Sequence, residues 1–220
     1  MDPASPRIKF CGITTPADAV LAADAGAWAI GMIFWRGSRR RCKLSDAVAV
    51  AATVRRQVEL AGVFVNARLD EVARVAEDAG LTLIQLHGEE GPAYCAEVAR
   101  RTGARVIKAA RVRGRADIQA LAPFHTDFHL LDSYMENVPG GTGETFAWEL
   151  ARGRAGGAPL ILSGGLVPDN VAAAIEAVSP FAVDVATGVE LSPGRKDPEK
   201  LRAFAAAVRS AGAPPALTAA

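Results

Sequence analysis

Two short apolar stretches each end on a group able to move a proton. RIKFC, residues 7–11, alternates basic and apolar residues up to Cys11, and FHLLD, residues 128–132, ends on Asp132. A thiol titrates near roughly 8.5 and works as a base or nucleophile only where a positive neighbour raises its thiolate fraction. Lys9, or the N-terminus of a helix starting at Thr14-Thr15-Pro16, is placed to supply that field. A carboxyl such as Asp132 works as an acid when partial burial or a neighbouring anion holds its proton. Cysteine is also common core filler, so the local sequence leaves Cys11 open between reagent and packing. Cys42, in a basic loop without a helper, and Cys95, on the apolar side of a helix, read as filler.

A second set of residues could hold anions. LSGGL followed by VPDN places Gly164 and Gly165 between a strand and a helix, and ATGVE places Thr187 and Gly188 just after another strand. Glycines let backbone N–H groups converge on a phosphate, and a helix N-terminus adds partial positive charge; alone, either pair would read as a tight turn. RGSRRR, residues 36–41, is a second anion candidate, because a guanidinium grips a carboxylate in a two-pronged fork. Most of those arginines must point into water. His87 in QLHG reads either as a third titrating group or as a loop cap. His125 and His129 in HTDFH lack metal-site spacing, and no metal is assigned.

These residues need a scaffold, and the chain supplies one by repetition. Apolar or β-branched runs recur at 8–10, 29–34, 60–65, 82–86, 105–109, 128–131, 160–163 and 182–186. Ala-rich amphipathic stretches lie between them, several opening on Ser, Thr or Asp beside Pro and ending at Gly. Strands too apolar to face water, alternating with helices, predict a single α/β domain over residues 1–210, a closed (β/α)8 TIM barrel; an open doubly wound sheet is the competitor. The segment after the sixth strand departs from the alternation. DSYMENVPGGTGETFAWEL predicts a sixth helix that is short or replaced by a long Gly-rich loop at 132–146. Residues 211–220, small and Pro-containing, read as a tail that frays.

The barrel sorts the candidates. Chemistry belongs where strands end and their following loops begin, and those positions hold Cys11, Arg36 to Arg41, Asn66, His87, Arg111, Asp132, Gly164-Gly165 and Thr187-Gly188. The opposite ends carry Trp28, Leu81 and Phe181, which read as packing. The whole-chain balance excludes other classes: a net charge of +1 without long basic tracts argues against a nucleic-acid surface. No apolar run approaches a membrane span, the N-terminus lacks a secretory h-region, and three distant cysteines make no disulfide framework. A cytoplasmic protein is expected. Its oligomeric state is open between monomer and homodimer.

With these residues assembled, the chain resembles the phosphoribosylanthranilate isomerase family of tryptophan biosynthesis. The likeness runs from Arg7 to about Arg209 and rests on KFCGIT, GMIF-WRGSRRR, GVFVNA, QLHGEE, IKA, LLDS, GGTGETFAW, LILSGGLVPDN, VDVATGVE and PGRKDPEKLRAF, in the family's order. It implies a cofactor-free Amadori rearrangement of N-(5-phosphoribosyl)anthranilate, with Cys11 as general base and Asp132 as general acid. It further implies that Arg40 binds the anthranilate carboxylate, that Gly164, Gly165, Thr187 and Gly188 bind phosphate, and that His87 and Asp184 support the mouth. Departures are Arg41-Cys42-Lys43 where an aromatic and small residues are usual, Glu144 and Ala147 for common Lys and Asp, and Ala186 for a common Ser. The alternatives are another sugar-phosphate isomerase or epimerase barrel, whose metal-binding or paired-aspartate sites Cys11 fits poorly, and a barrel that binds a phosphorylated ligand without turning it over.

Overall fold

The computed structural model describes residues 5–132, 148, 150–152 and 157–211. The Gly-rich segment at 133–147, with Glu144 and Ala147, and the tail at 212–220 therefore lie outside the described residues. Eight parallel strands close on themselves in sequence order. They are β1 (Arg7–Cys11), β2 (Ala29–Ile33), β3 (Glu59–Phe64), β4 (Leu83–Leu86), β5 (Arg105–Arg111), β6 (Phe128–Asp132), β7 (Leu160–Ser163) and β8 (Ala182–Val185). The open-sheet alternative falls with the pairing of β1 to β8, where Lys9 stands opposite Asp184.

Strand periodicity divides each strand between two cores. Odd-numbered β1 residues, Lys9 and Cys11, point into the barrel with Ala29, Ala61, Leu83, Ile107, Leu130, Ile161 and Ala182, while Ile8 and Phe10 face the helices. The helices are α1 (Pro16–Asp24), α2 (Leu44–Val54), α3 (Leu69–Ala79), α4 (Pro92–Thr102), α5 (Arg115–Gln119), α6 (Val171–Val178) and α7 (Pro198–Ala211). Their apolar stripes have helical spacing: Val72, Val75, Ala76 and Ala79 on α3, and Leu201, Phe204, Ala205 and Val208 on α7 are all buried. Burying a side chain such as Phe204, whose ring meets that of Phe10 at 6.1 Å, contributes about 1.5–3 kcal/mol. The weak pattern after β5 gives the short α5, whose first turn is held by the Asp117 carboxylate accepting from the N–H groups of Arg113 and Gly114.

The two ends of the barrel differ as a catalytic scaffold requires. At the N-terminal end Trp28, Phe128 and Phe181 pack edge to face or tilted, and the Arg7 guanidinium lies 4.8 Å from the Phe181 ring centre. That end is a plug. At the C-terminal end an unexpected hairpin, β9 (Glu190–Ser192) with β10 (Arg195–Lys196), follows a single 3-10 turn at Thr187–Val189. The Thr14 hydroxyl donates to the Gly194 carbonyl at 2.7 Å, tying this hairpin to the loop after β1. No helix among the described residues is long and apolar enough to cross a membrane.

Candidate active site

A cavity of about 890 Å³ opens at the C-terminal end, and every residue expected at the site lines it: Cys11, Arg40, His87, Asp132, Gly164, Gly165, Asp184, Thr187 and Gly188. Its size suits a ligand of drug-like dimensions. Strand ends bring Cys11 and Asp132 to one mouth, because β1 and β6 stand three strands apart around the closed sheet.

Cys11 is buried, and its surroundings differ from the simple expectation of help from Lys9. The Lys9 Nζ donates to Asp184 Oδ1 at 2.8 Å, and Lys9 has no exposed surface. Asp184 also accepts from the Ser163 hydroxyl at 3.1 Å. Burial pushes the Cys11 thiol up; the ammonium of Lys9 pulls it down, the Asp184 carboxylate opposes that pull, and the net shift is upward. Burial also disfavours the Lys9 charge, but Asp184 and the thiol outweigh it and hold its pKa above the ordinary value. The positive field is thus present but shared, and the resting group is a thiol beside a buried ion pair. Gly31 makes room for it: a Cβ there would stand 2.8 Å from Cys11 Sγ and 3.1 Å from Lys9 Nζ. Cys42 and Cys95 are buried away from the cavity, and burial drives Cys42 up to about 12.

Across the mouth Asp132 meets His87, whose Nε2 lies 3.4 Å from Asp132 Oδ2. The other ring nitrogen, Nδ1, is 2.8 Å from Gln85 Nε2. The loop carrying His87 is fastened from behind. Glu90 accepts from the N–H groups of Asn66 at 2.7 Å and Gly88 at 2.8 Å, and from Lys108 Nζ at 2.9 Å. Burial alone would raise the Glu90 carboxyl, but Lys108 and the backbone donors outweigh it and hold it below the usual range. A Cβ on Gly88 would run into the Asn66 side chain, so glycine is required for this close approach.

Among the arginines at 36–41, Arg40 alone turns to the cavity with a buried partner. Its Nε and Nη2 donate to Glu190 at 2.9 and 2.8 Å, and Nη2 reaches Thr187 Oγ1 at 3.1 Å. Arg36, Arg39 and Arg41 are exposed. Glu190 also takes an ion pair at 3.2 Å from Lys196, which donates in addition to the carbonyls of Cys11 at 2.6 Å and Ala186 at 3.1 Å. Lys196 is 2% exposed. Glu190 and Lys196 escaped the sequence reading, since charged residues in a Gly- and Pro-containing loop ordinarily face water. Beside Thr187 and Gly188, Gly164 and Gly165 adopt φ of 94° and 65°, a left-handed pair that glycine accepts readily. The Asn170 side chain shapes this turn, accepting from Val167 N at 2.8 Å and donating to the Gly165 carbonyl at 3.0 Å. The Lys200 ammonium, fixed on the Glu190 carbonyl at 3.0 Å, lines the same side of the cavity.

Residues 8–207 match the family model described as N-(5'phosphoribosyl)anthranilate (PRA) isomerase. A relative from Citrifermentans bemidjiense named N-(5'-phosphoribosyl)anthranilate isomerase is 50% identical over 196 residues, covering 89% of this chain and 93% of its own. The crystal structure of phosphoribosyl anthranilate isomerase from Thermotoga maritima superposes with a TM-score of 0.85 at 38% identity, over 93% of this chain and 99% of that one. A further crystal structure of the isomerase, in complex with reduced 1-(o-carboxyphenylamino)-1-deoxyribulose 5-phosphate, gives a TM-score of 0.82 at 36% identity, over the same shares of the two chains.

Proposed function

This chain belongs to the N-(5'-phosphoribosyl)anthranilate isomerase family, and from that premise we infer how its cavity converts N-(5-phosphoribosyl)anthranilate into 1-(2-carboxyphenylamino)-1-deoxyribulose 5-phosphate, a step of tryptophan biosynthesis. The observation carrying the assignment of roles is the convergence, in one cavity, of Cys11 and Asp132 on strands β1 and β6 with two anion-binding regions. In this reading the protein is a cytoplasmic aldose–ketose isomerase that needs no cofactor, because the substrate's own anilino nitrogen delocalises the charge.

Asp132 donates its proton to the furanose ring oxygen. The bond from that oxygen to C1 breaks, and the nitrogen lone pair forms the iminium. Cys11, as thiolate, removes the proton from C2, and the electron pair left behind neutralises the iminium to give an enolamine. Protonation at C1 and loss of the C2 hydroxyl proton complete the ketone. The upward shift of the Cys11 thiol means that the base must first be unloaded, and a base of higher pKa then abstracts a carbon-bound proton more effectively. Arg40, held along its Nε–Nη2 edge by Glu190, offers its Nη1 side to the anthranilate carboxylate. The peptides of Gly164, Gly165 and Gly188 with the Thr187 hydroxyl take the phosphate, so the sugar is stretched between two anchors with its reacting atoms set between base and acid.

Loss of fluorescence of freshly prepared phosphoribosylanthranilate tests this. Cys11→Ala and Asp132→Ala are each expected to lower kcat by about 100-fold or more with little change in KM. Unchanged kcat in either variant would remove that residue from its role, and a wild type that binds product without turnover would leave only the ligand-binding reading.

A further inference from the structure

We propose that Gln85 is a positioning residue: its amide fixes His87 as the neutral tautomer protonated on Nε2, and so keeps the acid proton of Asp132 directed to substrate. Gln85 stands on β4 facing into the barrel, is 1% exposed and lines the cavity beside His87. Its Nε2 is 2.8 Å from His87 Nδ1. An amide N–H aimed at Nδ1 requires a lone pair there, and the proton of a neutral imidazole then resides on Nε2, the atom 3.4 Å from Asp132 Oδ2.

The consequence lies in which oxygen of Asp132 keeps its proton. A carboxylic acid has one carbonyl oxygen that only accepts and one hydroxyl oxygen that donates. With Nε2–H turned toward Oδ2 at 3.4 Å, Oδ2 is favoured as the carbonyl oxygen, which leaves the proton on Oδ1, unengaged by the imidazole. The other tautomer would invert the pair: a lone pair on Nε2 would accept the Asp132 hydroxyl, and the acid would spend its proton on histidine.

The amide is oriented with Nε2 toward Nδ1. Among the described residues Gln85 Oε1 is buried and meets no donor. Turning the amide over would give that acceptor the Nδ1–H, but would place the two N–H donors of the NH2 group where the described residues offer no acceptor. Either orientation leaves two amide groups unpartnered, Oε1 and one N–H as observed or both N–H groups when turned over, so the tautomer measurement below is what tests the observed orientation. The His87 backbone is also anchored, with its N–H donating to Phe64 O at 2.9 Å and Glu90 clamping the next residue's N–H. The ring therefore has a fixed frame, and Gln85 selects only its protonation.

This inference rests on Asp132 as the acid, and its primary test does not depend on turnover. His87 is one of three histidines, so two-dimensional nitrogen–proton correlation of the imidazoles in the full chain resolves its tautomer. Wild type is expected to show Nε2 protonated and Nδ1 bare; an Nδ1–H tautomer or an imidazolium at pH 7.5 overturns the proposal. In Gln85→Leu the tautomers are expected to mix, with kcat down by roughly tenfold and KM within about twofold. In Gln85→Glu the carboxylate accepts from Nδ1–H, so the ring stays in place while its proton moves, and kcat is expected to fall comparably. Wild-type kcat in Gln85→Glu with the tautomer shifted would refute the positioning role even if Asp132→Ala remains inactive, whereas an active Asp132→Ala would instead overturn the assignment of the acid.

Discussion

Replacing Lys196 with methionine should weaken the fold and the site together. The ammonium donates to the carbonyls of Cys11 at 2.6 Å and Ala186 at 3.1 Å and pairs with Glu190 at 3.2 Å. It therefore joins the strand carrying Cys11, the loop after β8 and the carboxylate that holds Arg40. Methionine matches its length and supplies none of these bonds. Removing one partner of a buried ion pair typically costs about 3–5 kcal/mol. Two facts reduce that figure. Glu190 keeps Arg40 and the Gly194 N–H, and burial already lowers the Lys196 pKa against the pull of Glu190, so its removal relieves a real desolvation penalty. A loss of about 2–4 kcal/mol is expected, or roughly 5–15 °C in Tm for a chain of this size. Activity, assayed well below the variant's Tm, should fall about 10- to 100-fold in kcat/KM, because small displacements of anchored groups misalign a bound substrate. Urea denaturation supplies the stability change and fluorescence the kinetics. A variant within about 0.5 kcal/mol of wild type, with kcat/KM retained, would show that the Arg40 and Thr187 loops hold their relation without Lys196.

Two further predictions rest on other contacts. Glu90 is held below the usual carboxylate range by Lys108 and backbone donors against the opposing effect of burial, so its contribution is fully present above the unfolded pKa of about 4.3 and is lost as pH falls through the lower folded value. Glu90→Gln should therefore lie about 3 kcal/mol below wild type at pH 7, with the two denaturation curves converging in acid; a gap that is constant down to pH 2 would contradict the linkage. At Gly188 a Cβ would collide with the Leu166 carbonyl. Gly188→Ala should raise KM at least about tenfold and abolish inhibition by inorganic phosphate while leaving the far-ultraviolet spectrum intact, and retained phosphate inhibition would place the anion elsewhere.

The barrel was legible because strands buried on both faces read as apolar runs, and because a strand's last residue is the one that reaches the mouth. That logic placed Cys11 and Asp132, 121 residues apart, and the glycines after β7 and β8 at the mouth, where they line one cavity. The period of two also places Lys9 on the face of Cys11. What it could not give is the partner of Lys9. Asp184 stands opposite it only because β8 closes against β1, and the electrostatic sign at the thiol depends on that closure: with Lys9 alone the thiol would be lowered, and with burial and Asp184 it is raised.

Arg40 illustrates the same limit from the other side. Its sequence neighbourhood is a run of arginines with nothing to choose among them, and the choice is made 150 residues later by Glu190. Glu190 is in turn fixed by Lys196 and by the Gly194 N–H of a hairpin with no strong strand pattern. A surface guanidinium is a mobile charge that loses side-chain entropy on gripping a carboxylate. One clamped along its Nε–Nη2 edge by a buried carboxylate has lost that freedom before substrate arrives. In this way the loop after β8, through Thr187 and Glu190, fixes Arg40 beside the part of the cavity lined by Gly188. On the roles proposed above, that placement sets where the ribose lies relative to Cys11 and Asp132.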